Sequence, residues 1–99
     1  MSYGTVMLGK LKPGSFEAWK DGLTEWKRER VDAGQVDGFQ SEYTLYGDDG
    51  VSIASVVVFE SKEKYMALAD DPEQDKWWQA KVVPLLDGDV TWTDGTWAD

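Results

Sequence analysis

The side chains best typed and spaced to recognise a small molecule are Trp19, Trp26, Arg30, Tyr43, Tyr65, Trp77 and Trp78. Indole rings could wall a pocket for a flat polycyclic compound, because aromatic faces and edges attract one another in offset or T-shaped contacts. Arg30 could pair with a phenolate or carboxylate, for which a guanidinium fork is suited. The hydroxyls of Tyr43 and Tyr65 could donate to a quinone-like oxygen or serve as general acids. Each residue also has a plainer reading. Trp19, Trp26 and Trp78 fall on apolar stripes and would serve as core filling, whereas Trp77 sits at the margin of its stripe and is the better pocket or interface candidate. Arg30 could simply reach past its stripe to solvent at the negative end of a helix, and a buried Tyr needs only a partner for its hydroxyl.

What is missing narrows the chemistry. The chain contains no Cys, no His and no Asn. Thiol nucleophiles, thiolate metal sites, imidazole bases and His-ligated haem are therefore excluded. Asp48 with Asp49, and Asp70 and Asp71 with Glu73 and Asp75, lack the regular oxygen spacing of a calcium loop and read as solvated loops and a helix cap. No metal and no cofactor are expected. Trp92 and Trp97 near the C-terminus read as aromatic anchors of an edge strand, with contact across a dimer or a sugar-binding strip as further possibilities.

Nineteen acidic against ten basic residues in a chain of 99 give a net charge of −9. Nucleic acid and anionic membrane surfaces repel such a molecule. No stretch approaches the length of a membrane span and the N-terminus has no charged leader before an apolar run, so a cytoplasmic protein is expected. With 41% hydrophobic residues the chain is far from disordered, and its length fits one domain, 1–99, with one modest core.

The elements that must position these residues follow from periodicity and punctuation. Thr5 to Leu11 reads as a strand stopped by Pro13-Gly14. Ser15 can cap a helix running to about Ala33, with Gly34 just beyond, in which Phe16, Trp19, Leu23 and Trp26 make one stripe. After the Asp37-Gly38 turn, Phe39, Ser41, Tyr43 and Leu45 alternate with Gln40, Glu42, Thr44 and Tyr46, as in a half-buried strand. Gly47 to Gly50 is a hairpin loop into Ile53 to Phe59, a strand apolar on both faces. Ser61 caps a short helix carrying Tyr65, Met66 and Leu68. Asp71-Pro72 restarts it, Trp78, Val82 and Leu85 share a face, and Pro84 should kink or end it near Val83. Val90 to Thr93 is the last strand.

The order β-α-β-β-α-β predicts an α+β, ferredoxin-like fold: a four-stranded antiparallel sheet with central first and third strands and both helices on one face. The opposite face then stays bare. If Ile53, Val57 and Phe59 meet the helices, Ala54, Val56 and Val58 face outward, or the reverse. Each such side chain is stabilised by about 1.5–3 kcal/mol when fully buried, so a second sheet must cover the bare face, and a second copy of the chain is the simplest source.

The strand SVVVFE, the following SKEKYMALADDP, and the acidic turn before a strand with Trp92 resemble the dimeric α/β-barrel superfamily, in particular its antibiotic-biosynthesis-monooxygenase (ABM) domains. The Phe59-Glu60-Ser61 step from strand to helix is similar to theirs. The resemblance implies a homodimer through the open sheet face and a pocket within each subunit between sheet and helices. It also implies activities ranging from cofactor-independent oxygenation of quinol-like aromatics to haem degradation. Haem-degrading members resemble one another in an Asn, Trp and His set of which only Trp is available here. Where members often carry His in the second helix, this chain reads Met66 to Pro72. Two functions are therefore expected from this chain. One is a non-catalytic small-molecule-binding or accessory homodimer, and the alternative is a cofactor-independent monooxygenase acting on an aromatic quinol-like substrate. No catalytic residue is assigned.

Overall fold

The computed structural model describes residues 1–98, so position 99 of the expected domain lies outside the described residues. Four strands form one antiparallel sheet in the order β2-β3-β1-β4. They are β1 (Tyr3–Lys10), β2 (Phe39–Tyr46), β3 (Ser52–Phe59) and β4 (Thr91–Thr96). The helices are α1 (Phe16–Trp26), α2 (Lys62–Ala69) and α3 (Pro72–Trp77). The expected α+β ferredoxin-like arrangement is present, with β1 and β3 at the centre. Among the described residues no helix is long and apolar enough to cross a membrane.

The first and third helices widen before they end. α1 passes into a π-type turn, Lys27–Val31, where the Asp32 amide donates to the Lys27 carbonyl. α3 passes into another, Trp78–Val82, and then a tight 3₁₀ turn, Val83–Leu85, containing Pro84. Proline there lacks the amide hydrogen needed to extend the helix, which accounts for the change of pitch. Ser61 accepts from the Lys64 amide and Asp71 from the Glu73 amide, so both expected caps close helix ends. Ser15 precedes α1 but makes no side-chain capping bond.

The hairpin strand differs from a simple alternation. Phe39 pairs with Phe59 and Ser41 with Val58, so β2 carries an extra residue at Gln40. Phe39 stands at 5.5 Å edge-on to Trp26 and 5.8 Å edge-on to Phe59, while Tyr46 meets Phe16 at 4.8 Å. Both rings thus point to the helices, although seven positions separate them and a regular strand would place them on opposite faces. A bulge at Gln40 reconciles the two by shifting the phase. Its result is that Glu42 and Thr44 face the helices, while Tyr43 and Leu45 are carried to the opposite face, 69% and 71% exposed. The expectation that Phe39 and Tyr43 share a face is corrected accordingly.

On β3, Ile53, Ser55 and Phe59 are buried beneath the helices, and Ala54, Val56 and Val58 take the outer face. The buried side chains fall into two clusters. One is built on Met7, Leu11, Trp19, Ile53 and Val82, the other on Trp26, Val36 and Phe59, and Trp77 packs against both. The last strand runs farther than expected, to Thr96. Trp97 then lies over Gly4 within the same chain, its Nε1 donating to the Val57 carbonyl at 3.3 Å.

Candidate functional site

The space between the two core clusters is not filled. A cavity of about 500 Å³ opens there between the sheet and the helices. Apolar helix spacing brings Trp19 and Trp26 onto one side of α1, and both rings reach the cavity. Tyr65 comes from α2, while Trp77 and Trp78 come from the junction of α3 with its widened turn. Trp92 of β4 completes the aromatic wall and stands 5.4 Å from Trp78.

The indole nitrogens are treated differently. Trp19 Nε1 donates to Thr44 Oγ1 at 3.0 Å, and that hydroxyl donates to Glu42 Oε2 at 2.6 Å. Trp26 Nε1 donates to Gln74 Oε1 at 2.8 Å. Trp77 Nε1 is buried and has no partner among the described residues. A buried donor left unpaired costs about 1–3 kcal/mol, which the packing of the Trp77 ring against both core clusters must offset.

Glu42 lies deep in the wall, its side chain only 6% exposed, and is matched by Lys27 Nζ at 3.0 Å. Tyr65 stacks edge-on against Phe59 at 5.6 Å. Burial pushes its phenol pKa upward, and the nearby Asp94 carboxylate pushes it the same way. Tyr65 is therefore a neutral hydroxyl at physiological pH, able to donate a hydrogen bond.

Five of the seven candidates meet at one cavity: Trp19, Trp26, Tyr65, Trp77 and Trp78. Two do not. Tyr43 sits on the opposite face of the sheet, because the bulge shifts the strand by one residue. Arg30 is directed to Asp71 Oδ2 at 2.8 Å and Gln74 Oε1 at 3.4 Å, behind the wall rather than in it. Sequence reasoning missed Glu42, Asp94 and Trp92 as wall residues. The signal for Trp92 and Asp94 was their two-residue spacing on β4, opposite Met7 and Thr5 of β1. Among the described residues no group of Asp or Glu side chains is arranged to hold a metal ion.

The same architecture recurs in solved structures. A variant of SnoaB, a cofactor-independent oxygenase from Streptomyces nogalater, superposes with a TM-score of 0.77 at 12% identity, over 99% of this chain and 94% of that one. This chain has the fold of the antibiotic-biosynthesis-monooxygenase domains. The ABM-like fold is also shared with a monooxygenase from ActVA-Orf6 of Streptomyces coelicolor, solved with the ligand nanaomycin D, at TM-score 0.72 and 19% identity over 99% and 88% of the two chains. Rv0793 from Mycobacterium tuberculosis matches at TM-score 0.72 and 17% identity, over 100% and 97%. No protein-family model matches the sequence, and no curated protein matches it. At these identities the ABM likeness is one of fold.

Proposed function

We propose that this chain is a small-molecule-binding module that takes a planar aromatic compound into the cavity beneath its helices. The observation that carries the reading is an unfilled space of about 500 Å³ with Trp19, Trp26, Trp77, Trp78 and Trp92 in its walls. Cores pack to near-crystalline density and lose stability when they do not, so a void of this size among large rings favours a ligand as its occupant. The side chains support binding more than turnover. Arg30 is committed to Asp71, Glu42 is paired with Lys27, and the chain has no imidazole or thiol.

The working unit in this proposal is a homodimer. Leu8, Tyr43 and Leu45 are 51%, 69% and 71% exposed on the outer face of the sheet, beside Val56 and Val58. A contiguous apolar face of this kind favours a second sheet packed upon it.

A second reading is a cofactor-independent monooxygenase. It is favoured by the fold shared with SnoaB and with the nanaomycin-bound monooxygenase. In that case the cavity would orient an electron-rich ring and exclude water while oxygen adds, with Tyr65 donating to the substrate oxygen. The two readings separate in one experiment: titration calorimetry and oxygen uptake with the same panel of naphthol and anthrone-type compounds. Saturable binding without oxygen consumption supports the module; turnover replaces it with the oxygenase; absence of binding across the panel removes both.

A further inference from the structure

The charges around the cavity are all of one sign. Glu42, Asp75 and Asp94 line it, and no Lys or Arg does. Glu42 is neutralised from behind by Lys27, whose ammonium lies outside the lining. Asp75 and Asp94 have no ion-pair partner among the described residues. They come from opposite walls, Asp75 from α3 in the helix layer and Asp94 from β4 at the sheet edge. The one guanidinium near enough to have served an anion, Arg30, is held by Asp71.

The aromatic faces are equally uncommitted to cations of the chain itself. Among the described residues the cation found over a ring is Lys62, above Tyr3 and away from the cavity. Among the described residues no cation of the chain competes for the tryptophans that reach the cavity. Indole is the best natural partner for an ammonium group, and an aromatic box with a carboxylate at its edge is the usual way to hold one. An aromatic acid entering the same space would approach two carboxylates on exposed residues that have no ion-pair counter-charge, a repulsion that solvent screens only in part.

We infer that the cavity selects by charge, accepting an aromatic amine in its ammonium form over a neutral analogue and rejecting an aromatic carboxylate of the same shape. This rests on the reading of the cavity as a ligand site and names the class of ligand. Asp75 and Asp94 supply the negative edge, Trp77, Trp78 and Trp92 the faces, and Tyr65 a hydroxyl for a further polar atom of the guest.

The test uses naphthalen-2-ylmethylammonium, naphthalen-2-ylmethanol and 2-naphthoate, which share one ring system and differ in charge, titrated calorimetrically into the 99-residue chain at pH 7. The ammonium compound is expected to bind at least about tenfold more tightly than the carboxylate, with the alcohol between them. In the variant carrying Asp75→Asn and Asp94→Asn, that ratio should fall toward one. A control carrying Asp48→Asn and Asp89→Asn removes the same charge elsewhere on the surface and should leave the ratio intact. A carboxylate that binds as tightly as the ammonium overturns the inference, as does a ratio that survives the Asp75 and Asp94 changes. Binding of the alcohol with a flat charge series sinks the inference alone, whereas failure of all three probes to bind sinks the cavity reading with it.

Discussion

Arg30 Nη2 stands 2.8 Å from Asp71 Oδ2, tying the end of the first helix to the cap of the third. The same carboxylate accepts from the Glu73 amide, and Arg30 also approaches Gln74, which in turn receives the Trp26 indole. Arg30 thus meets the cavity wall through Gln74 and does not itself line it.

Arg30→Ala is therefore expected to lower thermal stability and to leave the binding of an aromatic carboxylate no weaker. The Arg30 guanidinium holds the Asp71 carboxyl below its ordinary 3.8. A depressed carboxyl stabilises the fold above its unfolded pKa and loses that contribution as pH falls through the folded value. Urea unfolding between pH 5 and pH 2 should show a shallower acid limb in the variant; an identical limb would detach the pair from stability.

Trp19→Phe, Trp26→Phe and Trp77→Phe make the same chemical change in three settings. The first two break an indole hydrogen bond to Thr44 or Gln74, whereas the third removes a donor that has no partner. Trp77→Phe is expected to be less destabilising than the other two by about 1–3 kcal/mol, read from urea midpoints at constant slope. If ligand binding requires the Trp77 face, the same variant should lose affinity while keeping its stability.

Gly4→Ala should destabilise the sheet by about 1–3 kcal/mol or more. A Cβ there would overlap the Val57 carbonyl oxygen and lie 2.7 Å from Trp97 Nε1. Pairing the change with Trp97→Ala relieves the second clash and leaves the first, so the double variant should recover only part of the loss in thermal midpoint.

Val56→Asp and Val57→Asp place a carboxylate on opposite sides of one strand. The first lies on the outer face and should give a folded monomer by sedimentation at micromolar concentration. The second enters the cavity wall, where an unpaired charge is poorly solvated, and should lower the unfolding midpoint. Association that survives Val56→Asp would contradict the sheet-to-sheet dimer.

Tyr65 and Tyr46 both have phenol pKa values above the ordinary 10.0, with burial as the leading cause in each. A raised acid stabilises the fold fully below the unfolded pKa, and that contribution is lost as pH rises through the folded value. Stability should therefore decline above about pH 10, with a gentler slope in Tyr65→Phe. Unfolding midpoints from pH 8 to pH 11 check the sign.

Most of the architecture was legible in the sequence because it is written in local signals. The Trp19 and Trp26 stripe, the Ser61 and Asp71 caps, the Pro84 break and the two-faced apolar run of β3 each depend on residues a few positions apart, and together they impose the element order. That order brought Trp19, Trp26, Tyr65, Trp77 and Trp78 within reach of one cavity, although their helical spacing alone is equally suited to filling a core.

Tertiary packing decided what no local pattern carries. Phe39 and Tyr46 are both drawn inward by rings on other elements, Trp26 and Phe59 for one and Phe16 for the other, and the resulting bulge exchanged Tyr43 for Glu42 in the cavity wall. Alternation in a strand fixes which residues share a face, but an extra residue reverses the phase, and its place depends on partners far away in the chain. Arg30 was redirected in the same manner, since a guanidinium on a flexible stem goes to whichever carboxylate the fold sets beside it. The chemistry of the residues was in the sequence; the sign of the charge facing the cavity arose only when three separate elements closed around it.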